Sequence, residues 1–261
     1  MFQTIVVGVD GRPGGRDALA FAALLQRTFG AGVIAVVAYP HDELVSRAGS
    51  PAFEVAVKDE AVAALDAEIV RSGIDARAVA VADSSPPRAL HRIAEVENAD
   101  LIVVGSDDQG PIGRALAGDV TAGTLYASPC AVAVAPHGFA TTEPVLRAIG
   151  VGDDESAESR HALEVARAMA QQVGERTRAV TVQGLPADEL AARSAALDLM
   201  VMGSRGYGPA KRLILGSTAR KLVRSAACPV IVLPRGAHDP ELGRPVAAGA
   251  GMSAQPGEGD A

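Results

Sequence analysis

The chain has 261 residues, 48% hydrophobic and 21% charged, a balance that builds a globular protein with core enough for one large domain or two small ones. Aromatic residues are only 3% and tryptophan is absent, so the interior has to be made of alanine, valine, leucine and isoleucine, which suits parallel sheets covered by helices. A net charge of −7 with no basic run excludes an electrostatic nucleic-acid surface; the opening "MFQTIVVGVD" has no signal-like core and no later apolar run is of spanning length, which predicts a cytoplasmic protein with no membrane partner.

Apolar runs and helical periodicity predict, in order, a strand over 4–10, a helix over 14–29, a strand over 32–38, a helix over 52–72, a strand over 76–82, a helix over 86–97 and a strand over 100–105. A glycine-rich loop, a helix over 119–127 and a strand over 130–135 complete this first unit. The segment "HGFATTEPVL" then reads as a linker. Beyond it the pattern gives a strand over 147–152, a helix over 156–173, a strand over 178–183, a helix over 186–196, a strand over 198–203, a second glycine-rich loop, a helix over 217–226 and a strand over 229–233. Strands alternating with helices imply right-handed crossovers and parallel sheets with helices on both faces.

The two units are copies. "LIVVGSDDQGPIGRALAGDV" lies over "LMVMGSRGYGPAKRLILGST", pairing Gly105 with Gly203, Gly110 with Gly208, Pro111 with Pro209, Arg114 with Arg212 and Gly118 with Gly216 at one constant offset. "IVVGVDGRPGGRDAL" lies over "IGVGDDESAESRHAL", pairing Asp10 with Asp154 at a larger offset. The second copy has therefore lost one strand and one helix from its middle, and "RTRAVTV" can stand in the second or the third strand's place. The predicted fold is thus α/β, two tandem doubly wound, Rossmann-like open parallel sheets, with domains at 1–138 and 139–235 and a disordered Gly/Ala/Pro-rich tail at 236–261.

Two cysteines, Cys130 and Cys228, stand beside strand patterns with no second ligand nearby, as buried small hydrophobes do. The apolar last strands, 131–136 and 229–234, are edges that need covering, and a pseudo-twofold pairing within one chain would cover both. This predicts an intramolecular pseudo-dimer of the two domains and is compatible with a further homodimer.

Glycine-rich turns between a buried strand and a helix let backbone N–H groups converge on a phosphate at the helix N-terminus, although such turns also use glycine for conformational freedom alone. The spacing Gly203-x2-Gly206-x9-Gly216-Ser217, the closing "CPVIVLP" and the opening "GVDGRPGGRDAL" together resemble the universal stress protein family in its tandem two-domain form, over nearly all of residues 1–235. The resemblance implies an adenine-nucleotide-binding fold in which members with the full glycine motif hold ATP, pairing through the last strand, and roles in stress survival and regulation.

The second copy keeps every motif position, so the expected site is Asp154, Met202, Gly203, Gly206, Gly216, Ser217 and Thr218, with ATP as cofactor and Mg as the ion that would accompany it. Ser217 offers a hydroxyl and an N–H at the helix start, or is an N-cap. Lys211 and Arg212 lean toward the phosphates or stay solvated. In the first copy Asp108 replaces the second glycine and Asp119 the serine, which puts like charge where phosphate would sit. Asp10 and Asp154 follow first strands: the resemblance sets this acid near ribose and base, and capping of the next helix is the alternative. The base would meet Val36 to Ala38 in the first copy, or Val182 and Gln183 in the second if that strand takes the second place.

Three function classes remain open: a nucleotide-binding regulator, a weak ATPase, and a nucleotide-free interaction module. Catalysis is not expected, because there is no Walker A motif and the histidines, His41, His91, His137, His161 and His238, are scattered. The protein partner is not given by the sequence.

Overall fold

A computed structural model describes residues 1–40, 51–106, 120–183, 187–204 and 216–234. The predicted tail and the interiors of both glycine-rich loops lie outside these residues.

The first repeat runs β1 (Thr4–Gly8), α1 (Pro13–Phe29), β2 (Gly32–Tyr39), α2 (Pro51–Ser72), β3 (Ala76–Ala82), α3 (Pro86–Val96), β4 (Leu101–Gly105), α4 (Val120–Leu125) and β5 (Ala131–Ala135). The second runs β6 (Ala148–Asp153), α5 (Ala157–Val173), β7 (Arg178–Gln183), α6 (Ala187–Arg193), β8 (Leu199–Gly203), α7 (Ser217–Ser225) and β9 (Val230–Leu233). These are the elements that the periodicity predicts, shifted by one or two residues at most ends.

The nine strands of the described residues join one sheet in the order β3-β2-β1-β4-β5-β9-β8-β6-β7. Every pairing is parallel except that of β5 with β9, which is antiparallel with Val132 opposite Val232, Ala133 opposite Ile231 and Val134 opposite Val230. The last strands thus cover each other's edges, as their apolar sequences require. The strands next to this seam read as unbroken apolar runs because both sheet faces are covered. Ile5, Val7, Val103, Val151, Val201 and their neighbours pack under α1, α2 and α5; Val6, Ile102, Val132 and Met200 pack under α3, α4, α6 and α7. Each of these two apolar layers crosses the seam without a break.

Pairing settles the place of "RTRAVTV". β7 lies beside β6 from Ala148 opposite Arg178 to Asp153 opposite Gln183, as β2 lies beside β1. It is therefore the second strand, and the parts missing from the second repeat are the counterparts of α2 and β3. Of the described helices none is long and apolar enough to cross a membrane.

Repeated polar contacts fix both copies. The Asp100 carboxylate accepts from the N–H groups of Gln3 (2.7 Å) and Thr4 (3.0 Å); Asp198 does the same for Arg147 and Ala148 at 2.8 Å each. Each aspartate, just before the fourth-strand position, tethers the start of the first strand of its repeat. The linker is tied down as well: buried Asp17 in α1 accepts from Gly138 N–H (2.9 Å) and Ala140 N–H (2.7 Å), and Phe139 sets its ring edge against Phe21 at 5.6 Å. Core volume is traded between repeats, since Val6 and Ala99 of the first stand where Gly150 and Leu197 stand in the second. A methyl group on Gly150 would collide with Leu197.

Cys130 and Cys228 are free and buried. Burial, and to a lesser degree the Asp100 charge, pushes the Cys130 thiol up to about 12; burial does the same for Cys228, also to about 12. Since the thiolate is the reactive form, the folded protein is expected to take up no thiol reagent at pH 8 within the time in which the guanidinium-unfolded chain titrates both cysteines. Rapid labelling of the native protein would contradict the packing of these two strand starts.

Candidate functional site

In an open parallel sheet, ligands collect outside the carboxyl ends of the strands where neighbouring crossovers diverge. In the first repeat that point lies between β1 and β4, and a cavity of about 380 Å³ opens there. Its floor is Gly8, Val36 and Val104 at the strand ends; Ala38, Pro86 and Leu90 form an apolar side, and Gly14, Gly15, Gly105 and Ser106 bring backbone to its surface. Val9, Asp10, Arg12, Pro13, Val120 and His137 complete the lining.

The residues that make this space are small for local reasons. A Cβ on Gly8 would crowd Leu90, 3.1 Å from its Cδ1, and a Cβ on Gly15 would meet Asp10 Oδ1 at 2.8 Å. The α1 N-terminus points its first turn at the cavity with Pro13 at the start, no acidic residue in that turn and no side-chain cap from Arg12. A helix start of this kind attracts negative charge. Asp10 turns inward on its own loop, accepting the Arg12 N–H at 3.0 Å. On the far wall Thr121 of α4 donates its hydroxyl to the Gly105 carbonyl at 2.9 Å, fixing where that helix begins.

Behind the turn from β1 to α1 lies an ion-pair cluster. Arg16 donates from Nε (3.1 Å) and Nη2 (3.1 Å) to the carboxylate of Glu68 on α2, and from Nη2 to the Gly11 carbonyl at 3.2 Å. Glu68 is only 6% exposed. The Arg16 guanidinium, with Arg71 assisting, holds the Glu68 carboxyl below the usual carboxylate range against the opposing effect of burial. The pair therefore stays ionised at neutral pH, and its stabilising effect is lost only as pH falls through that lowered value.

The second repeat differs at the equivalent positions. Met202 stands where the first repeat has Val104, and its Cε lies 3.7 Å from the position a Gly152 Cβ would take, beside Leu190 at 3.8 Å. Met202 is buried in the layer with Leu190 and Val182. Glu158 replaces Gly14, so the first turn of α5 is acidic, and Ser156 caps that helix by accepting the Ser159 N–H at 3.1 Å. A helix start already capped and negatively charged has little left for an anion.

The expected second-copy residues are placed as follows. Asp154 is exposed and accepts the Ser156 N–H at 3.2 Å, the same turn that Asp10 makes. Gly203 serves packing: a Cβ there would stand 2.6 Å from Glu158 Cβ and 2.7 Å from its carbonyl oxygen. Gly216 is the N-cap of α7, with no side-chain cap, and Ser217 is the first helical residue, so the N-cap alternative for Ser217 does not hold. Ser217 is exposed and Thr218 half-buried. Gly206, Lys211, Arg212, Asp108 and Asp119 lie outside the described residues. Val182 holds the register position of Val36, opposite Gly152 as Val36 is opposite Gly8.

The loop-centred reading of the sequence missed Arg12, Pro86, Leu90, Ser106, Val120 and His137. Only the glycines of "DGRPGG" signalled that wall; the others are ordinary apolar or polar residues until the fold gathers them. The described residues contain no group of three or more His, Cys, Asp or Glu side chains able to hold a metal ion.

The model of the universal stress protein family matches residues 1–136 and 150–234, one match per repeat. The chain belongs to this family. Among universal stress proteins, one from Thermus aquaticus, known from the QAH/OAS sulfhydrylase 3' region, is 30% identical over 135 residues, 51% of this chain and 97% of its own length. Universal stress protein MJ0531 of Methanocaldococcus jannaschii is 34% identical over 80 residues, 30% of this chain; the match spans about half, 47%, of that relative. A universal stress protein from Archaeoglobus fulgidus superposes with a TM-score of 0.65 at 21% identity, covering 89% of this chain and 98% of that one, which shows the tandem fold.

Proposed function

We propose that this universal stress protein binds an adenine nucleotide in the cavity of its first repeat and acts as a cytoplasmic regulator rather than as a committed catalyst. The observation that carries the reading is the cavity of the first repeat, with its apolar side and a helix start that has no side-chain cap and no acid in its first turn; at the equivalent positions the second repeat has the longer Met202 and a capped, acidic helix start with Glu158. Val36, Ala38, Pro86 and Leu90 suit a planar base. Adenine is the base the family resemblance suggests, and family members have been solved in complex with cAMP and with dAMP.

The number of phosphates follows from charge. Ser106 and Val120 line the cavity, and the sequence between them carries Asp107, Asp108 and Asp119 against Arg114. Like charge disfavours a triphosphate unless Mg accompanies it, so AMP is the favoured ligand over ATP in this repeat. A second reading sets ATP on the glycine-rich segment of the second repeat. It is favoured by α7, which opens on Gly216 without a side-chain cap competing for its first N–H groups.

Calorimetric titration of AMP and of Mg-ATP into nucleotide-stripped protein tests both. The first reading expects one AMP per chain, bound more tightly than ATP and unaffected by Ser217→Ala. Preferential ATP binding that Ser217→Ala weakens would establish the second reading instead, and no heat with either nucleotide would leave the interaction-module alternative.

A further inference from the structure

We propose that Glu68 and Arg16 form a positioning pair for the first-repeat cavity, with α2 serving as the brace for the turn between β1 and α1; this rests on the nucleotide reading of that cavity. Asp10 and Arg12, on either side of Gly11, line the cavity, and Gly11 itself has φ of +73°, the left-handed region. Arg16 grips the Gly11 carbonyl of this turn while Glu68 fixes Arg16 in a two-point contact. Glu68 touches nothing in the cavity, so its action runs through Arg16 and Gly11.

The second repeat supplies the comparison. Arg160 stands where Arg16 does and grips the corresponding carbonyl, that of Glu155, at 2.7 Å. The repeat has no counterpart of α2 and hence none of Glu68. The carbonyl grip is therefore common to both copies, while the buried carboxylate that immobilises it belongs to the first, whose turn lines the cavity. Because the pair also ties α2 to α1, the test has to separate anchoring of that helix from placement of the turn.

The test measures AMP affinity, thermal stability and hydrogen exchange over residues 10–15 in Glu68→Ala and in the charge swap Arg16→Glu with Glu68→Arg. Glu68→Ala is expected to weaken AMP binding about tenfold through misplacement of the turn and to raise exchange over 10–15. The swap keeps an ion pair but puts a carboxylate where a donor to Gly11 is needed. It should recover stability relative to Glu68→Ala without recovering affinity or protection. Affinity that returns together with stability in the swap, or that never falls in Glu68→Ala, would overturn the proposal. If the wild-type protein binds no nucleotide, the functional reading fails separately, and unchanged exchange over 10–15 in both variants would still defeat the brace.

Discussion

Val104→Met is expected to abolish nucleotide binding while leaving the fold intact. The methionine is the residue the second repeat already carries at this position, buried and reaching Gly152. Placed in the first repeat it would extend over Gly8 and take the volume of the base. Steric loss of the base contacts corresponds to at least about 100-fold in affinity, roughly 3 kcal/mol. Thermal stability should move little, because the same side chain is accommodated in an equivalent strand. The converse variant, Met202→Val with Glu158→Gly, removes both obstructions from the second repeat and is expected to raise the stoichiometry from one nucleotide per chain toward two. Titration calorimetry on both proteins decides it: a Val104→Met protein that still binds as wild type would show that the ligand does not enter this cavity.

Gly105→Ala and Gly203→Ala are expected to be among the most destabilising single-methyl changes in the protein, in the absence of any nucleotide. The first turn of α1 lies directly on Gly105, so that an added Cβ would penetrate the Gly14 peptide, and Glu158 lies on Gly203 in the same way. The obstruction is backbone rather than a flexible side-chain end, so relief requires moving a helix. We expect about 3 kcal/mol for each, at the upper end of overpacking penalties, seen as a fall of about 10 °C in Tm. Gly216→Ala is the control, because Gly216 is an N-cap with an extended backbone, φ −69° and ψ 164°, and should cost about 0.5–1 kcal/mol. Thermal unfolding of the stripped proteins separates the cases. Equal, small effects at all three positions would mean that Gly203 is kept for a ligand and not for packing.

These expectations show where reading the chain as a string reaches its limit. Gly203, Gly216 and Ser217 belong to one motif, yet the fold gives Gly203 to a helix crossing and leaves Gly216 and Ser217 at a helix start. The spacing of a motif records that backbone must come close to something at each point. It does not record what the neighbour is, since Glu158 is far from Gly203 in the chain and meets it only through the packing of α5 on β8.

The sequence by itself determined the repeat, the element order and the burial of the sheet, because apolar runs, helical periodicity and recurrence are local properties that short windows carry. Covering of the last strands was legible for the same reason: two wholly apolar edges have to be hidden. What only the tertiary structure decided was which strand the shortened repeat lost and which residues gather around the cavity of the first repeat. β2 and β3 have similar compositions, so the identity of β7 depends on its partner and register. The cavity depends on the volumes of single side chains brought from β1, α1, β2, α3 and β4, and exchanging a valine for a methionine there alters that volume while changing no pattern that a sequence window can register.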